Sequence, residues 1–101
     1  MASSKEYRDY VLEQMELLKD ITVRPMMGEY LLYCGGTLFG GIYDDRLLVK
    51  KTESNAKYGM PEAVPYEGAK PMFCVEAVDD REALKKIVTE TCLSLTKKVI
   101  K

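Results

Sequence analysis

Apolar residues near the start of the chain recur at helical spacing. Tyr7, Tyr10, Val11, Met15, Leu18 and Ile21 stand three or four apart, with Glu6, Asp9, Glu13, Glu16 and Asp20 between them. At about 100° per residue the two sets fall on opposite sides of one helix. Ser3 and Glu6 have the capping-box spacing, in which hydroxyl and carboxylate each satisfy a free N–H of the first turn. The pattern therefore predicts a helix starting at Ser3 and ending at Arg24-Pro25, because the residue before proline is pushed out of the α region. Its acidic side reads as a solvated surface or, alternatively, as a docking face for a basic partner.

The pattern then changes to strands. Residues 30–34, 37–43 and 46–50 are short runs rich in aromatic and branched residues, separated by Gly35-Gly36 and Asp44-Asp45. Gly-Gly suits a type I′ hairpin, which needs positive φ at both central positions, and Asp-Asp is tolerated there. Connections this short make neighbours antiparallel, so a three-stranded meander is expected. Met26-Met27-Gly28 reads as an extension of the first strand, with Gly28 as a bulge. Gly40-Gly41 inside a strand marks a close approach, by a packed helix or by a ligand.

Periodicity is lost from Thr52 to Gly68, a long excursion with room for one or two helical turns at Thr52–Tyr58. Residues 71–77 read as a fourth strand, begun at Pro71 where a missing N–H does least damage. Asp79 and Glu82 repeat the capping spacing ahead of a last helix whose apolar stripe is Leu84, Ile87, Val88, Cys92, Leu95 and Val99. One-sided helices and a small antiparallel sheet give an α+β fold of two layers: a meander plus at least one further strand, with N- and C-terminal helices on one face. Residues 1–101 make a single domain, since roughly 100 to 150 residues usually share one core.

Composition narrows the function classes. The chain is 47% hydrophobic and 31% charged, with 15 Lys and Arg against 16 Asp and Glu. A near-zero balance creates no whole-molecule field for nucleic acid or an anionic membrane. There is no His, so imidazole catalysis and His metal ligation are excluded. Cys34, Cys74 and Cys92 form no C-x-x-C pair, and scattered thiols read as small apolar residues in a reduced, cytoplasmic protein. No metal and no cofactor is expected. Neither a leader pattern nor an apolar run of roughly 18 residues is present, so neither export nor a membrane span is expected.

Local charge is segregated. Residues 52–80 are acidic, while 81–101 carry Arg81, Lys85, Lys86, Lys97, Lys98 and Lys101 against Glu82 and Glu90, a balance that the helix dipole accounts for by itself. Leu93 and Ile100 lie off the core stripe, as a self-association patch for a homodimer or as isolated exposed residues. Arg24, Arg46, Lys50 and Lys51 form a second basic group around the meander, a candidate binding surface with only a weak nucleic-acid signal. The glycine pairs match no phosphate-loop pattern.

Arg24-Pro25-Met26-Met27-Gly28-Glu29-Tyr30, then Leu38-Phe39-Gly40-Gly41-Ile42-Tyr43 leading into Asp44-Asp45-Arg46-Leu47-Leu48-Val49-Lys50, resembles the N-terminal domain of the TfoX/Sxy family of bacterial competence regulators. Lys70-Pro71-Met72, followed by a strand and an Asp-capped helix, resembles that family's second half, and the likeness covers about residues 10–95. The resemblance implies a two-layer α+β domain tied to DNA-uptake competence, acting with the cyclic-AMP receptor protein at promoters. It implies no catalytic residue. The expectation is thus a non-enzymatic regulatory or protein-interaction module whose partner belongs to the transcription machinery. The alternative is a small-ligand or nucleic-acid binding domain that uses the Arg24, Arg46, Lys50 and Lys51 surface.

Overall fold

A computed structural model describes the backbone of residues 3–100 and the side chains of residues 3–96. Helix α1 (Lys5–Gln14) is followed by strands β1 (Ile21–Met26), β2 (Glu29–Cys34), β3 (Thr37–Ile42) and β4 (Leu47–Val49). A 3-10 turn at Ala56–Tyr58, strands β5 (Glu62–Ala63) and β6 (Met72–Cys74) and helix α2 (Arg81–Ile100) complete the order. The strands form one antiparallel sheet in the order β1-β2-β3-β4-β6-β5. The expected α+β architecture, with terminal helices and a meander plus further strands, is present.

The first helix is shorter than its apolar spacing predicted. It stops at Gln14, Asp20 turns the chain with φ 61°, and Ile21–Met26 is a strand rather than the helix end. Ile21 and Val23 are half-buried and alternate with exposed Thr22 and Arg24, a period of two that competes with the helical stripe over these few residues. Pro25 is accommodated because β1 is an edge strand. Met27-Gly28 is no bulge but the two-residue turn joining β1 to β2, with φ 50° and 87°. The meander consequently has four strands. Gly35-Gly36 and Asp44-Asp45 make the other two turns, again with positive φ throughout.

Both helices cover the same face. The core joins Val11 and Met15 of α1 to Leu32, Phe39, Ile42, Leu47 and Val49 of the sheet and to Leu84, Ile87 and Val88 of α2. Arg81 of α2 donates its Nε to Gln14 Oε1 at 3.2 Å and pairs with Glu16, locking the helices together at one end. Each cap lies one residue later than predicted. Ser4 Oγ accepts from Tyr7 N at 3.1 Å, while Ser3 Oγ is drawn away to Glu29 Oε1 at 2.6 Å. Asp80, not Asp79, accepts from Ala83 N at 3.1 Å.

The irregularity lies in β3. The register shifts between Leu32 and Tyr33, so Phe39 is an extra residue opposite them and its carbonyl takes Lys50 N at 2.8 Å. A Cβ on Gly40 would run into the Leu48 carbonyl and stand 2.9 Å from Val49 Cα, and one on Gly41 would stand 2.6 Å from Tyr30 O. The close approach expected at this glycine pair is made by the backbones of the neighbouring strands and, at Gly41, by the Tyr43 ring as well.

Candidate functional site

The register puts Leu31 and Gly41 on the same side as Leu48 and Cys74, the face turned away from the helices. Over this face folds the chain between β5 and β6. Its Tyr66 ring stands 6.3 Å from the Tyr43 ring, tilted by 54°. Arg46 holds the segment from below, donating Nε to Tyr43 O at 3.2 Å and an NH2 group to Val64 O at 3.4 Å.

Two hollows result, one on each side of Pro65-Tyr66. The first, about 630 Å³, has Leu38, Pro65, Pro71 and Met72 as apolar walls, the Tyr43 and Tyr66 rings beside them, and Lys50, Lys51 and Lys70 around it. No carboxylate is among its lining residues. The second, about 710 Å³, is of mixed charge: Arg46 faces Glu29, Asp44 and Glu67, with Met26 and Met27 at its rim. Neither is lined by a helix residue.

The four expected basic residues therefore do not converge. Lys50 and Lys51 reach the first hollow, Arg46 lines the second, and Arg24 lies in neither, its guanidinium 5.7 Å from the Tyr33 ring centroid. Lys70 and Tyr66 join the site without having been singled out. Lys70 had one available signal, its place just before Pro71 at the mouth of a strand. Lys51 is already engaged, with Glu62 at 2.7 Å and the Phe73 ring centroid at 5.4 Å. Among the described residues no carboxylate lies within ion-pair distance of Lys50 or Lys70.

Burial favours the neutral forms of the Tyr43 hydroxyl and the Cys74 thiol beside the site, and of the Cys92 thiol on α2. Burial, then the neighbouring Tyr66, raises the Tyr43 hydroxyl above its ordinary value. Burial raises the Cys74 thiol, against the opposing pull of Arg46. Cys92 is pushed up to about 12, by burial first and then by the neighbouring Cys34 thiol. None of these thiols is primed as a thiolate. Among the described residues no group of three His, Cys, Asp or Glu could hold a metal ion, and no helix is long and apolar enough to cross a membrane. On α2, Leu93 is exposed. The side chain of its proposed companion Ile100 lies outside the described residues.

Comparison with known sequences adds a relationship. The family model described as the TfoX N-terminal domain matches residues 13–93. The chain is also similar to an uncharacterized 12.7 kDa protein in the trpE 5′ region of Spirochaeta aurantia, 30% identical over 80 residues, which cover 77% of this chain and 70% of that protein.

Proposed function

This chain belongs to the TfoX N-terminal domain family, and from that premise we propose that it is a non-enzymatic regulatory module that docks on a protein of the transcription machinery, in competence-type control. The observation that supports the reading is Met27. It is 97% exposed at the tip of the β1–β2 turn, in a left-handed conformation with φ 50°. Such a φ favours Gly or Asn and costs a side chain like Met about 1 to 2 kcal/mol. Among the described residues nothing repays that cost by packing. Met27 shares the second hollow with Tyr66, itself 59% exposed. A partner that covers this apolar group would bury the methionine and the ring together, and flexible thioethers suit such contacts.

The test is direct binding of the purified chain to the cyclic-AMP receptor protein and to RNA polymerase of the same cell, followed by fluorescence anisotropy. Binding that weakens at least tenfold in Met27→Glu and in Tyr66→Glu supports the reading. Binding that ignores both substitutions, or no binding to either protein, overturns it.

A further inference from the structure

We propose that the first hollow, between the sheet and the 64–71 segment, is a binding site for a small organic anion with a flat apolar body. The proposal goes beyond the docking reading and does not depend on it, since it concerns the hollow on the other side of Pro65-Tyr66. Charge carries the argument. Three lysines surround one concavity that has no acidic lining residue, and among the described residues only Lys51 has its charge matched, by Glu62. Lys50 and Lys70 remain as like charges on a concave surface with low-dielectric walls, an arrangement that concentrates positive potential and draws in an anion. Lysine is a point charge on a flexible stem, so a carboxylate, sulfonate or phosphate is served equally without the fixed fork that arginine would impose.

The walls decide the rest of the ligand. Leu38, Met72 and the two prolines offer apolar surface, and the Tyr43 and Tyr66 rings offer flat faces. A volume of about 630 Å³ falls within the roughly 300 to 1,000 Å³ typical of small-molecule sites. The neighbouring hollow has comparable size but carries Glu29, Asp44 and Glu67, which would repel the same ligand. Size alone therefore does not distinguish the two; sign of charge does.

The probe is 8-anilinonaphthalene-1-sulfonate, a flat aromatic sulfonate, titrated into the whole chain while amide shifts and fluorescence are followed. Its uncharged relative, N-phenyl-1-naphthylamine, is the comparison. The expected result is saturable binding that perturbs amides of residues 38–51 and 65–72, falls with added salt, and weakens about tenfold in the doubly substituted Lys50→Gln, Lys70→Gln chain. Both lysines are at the surface, and retained dispersion of the amide spectrum verifies that the variant is folded. Arg24→Gln, in neither hollow, should bind like the parent. Three outcomes overturn the proposal: no perturbation of those amides, equal affinity in the lysine variant, or equal affinity for the uncharged relative.

Discussion

Asn55 and Thr91 meet in the interior, the Asn55 amide donating to Thr91 Oγ1 at 2.8 Å. Thr91 in turn donates to Ile87 O at 2.7 Å, and Asn55 also serves Lys50 O at 2.9 Å and accepts from Thr52 N at 2.9 Å. Both side chains are fully buried, and every polar atom named has a partner. This contact pins the stretch after β4 to α2.

Asn55→Leu would leave the Thr52 N–H and the Lys50 carbonyl unpartnered, at a cost of about 3 kcal/mol, whereas Thr91→Val strands one amide proton and costs about 1 to 2 kcal/mol. Because the two act on the same bond, the double variant should lose less than the sum. Urea unfolding of the four chains measures this; a strictly additive result would mean the bond contributes nothing of its own.

Gly40→Ala should be far more damaging than Gly36→Ala. The neighbours of a Cβ at Gly40 are backbone atoms of β4, which cannot move without opening the β3–β4 ladder, so a loss of about 3 kcal/mol is expected. At Gly36, with φ 85° and nothing within 4 Å, only backbone strain of about 1 kcal/mol applies. Thermal melts of both variants distinguish the cases, and equal melting temperatures would refute the close approach.

Cys92 makes stability fall in alkali. Its folded value is raised to about 12 from an ordinary 9.0, so its contribution is complete below the ordinary value and is lost as pH rises towards the folded one. In that window the unfolded chain gives up a proton that the folded chain keeps, and stability declines by up to ~1.4 kcal/mol per pH unit. Burial raises Tyr7 and Tyr43 in the same sense. Urea midpoints measured upward from about pH 8.5 should fall more steeply in the parent than in Cys92→Ala; parallel curves would contradict the assignment.

Arbitrary duplex DNA should bind at physiological salt no tighter than roughly 10⁻⁴ to 10⁻⁶ M. Arg24 lies over Tyr33, Arg46 is bonded to two carbonyls and Lys51 is paired with Glu62, so three of the four basic groups around the meander are occupied within the chain. An electrophoretic titration giving nanomolar affinity with a steep salt slope would reverse this reading.

The strands of the meander were readable because turn chemistry marks them: Gly35-Gly36 and Asp44-Asp45 bracket runs whose boundaries match β2, β3 and β4 within one or two residues. Ile21–Met26 was misread because Met15, Leu18 and Ile21 continue a three-residue spacing into a segment that forms a strand at the sheet edge. The first cap lies one residue later than its spacing predicts because Ser3, which fits a capping box with Glu6, has its hydroxyl bound to Glu29 across the fold. Lys50 and Lys51 could be picked out beside their strand. Lys70 had only its place before Pro71 to mark it, and Tyr66 had nothing, because the segment that carries them has no period and its return over the sheet depends on Tyr43 and Arg46, distant in the chain.

The return of residues 64–71 bears on the order in which the molecule assembles and comes apart. Strands β1 to β4 are joined by two-residue turns, so their pairing closes short loops and can form early. The wall of the hollow waits on β6, which must cross more than twenty residues to reach β4, and the segment itself is tied down by little besides one arginine and one ring contact. Such a segment is the last to close in folding and among the first to open in the native state. Its amides should exchange with solvent faster than those of β2 and β3, and the hollow behind it can be entered by local opening while the rest of the sheet stays intact.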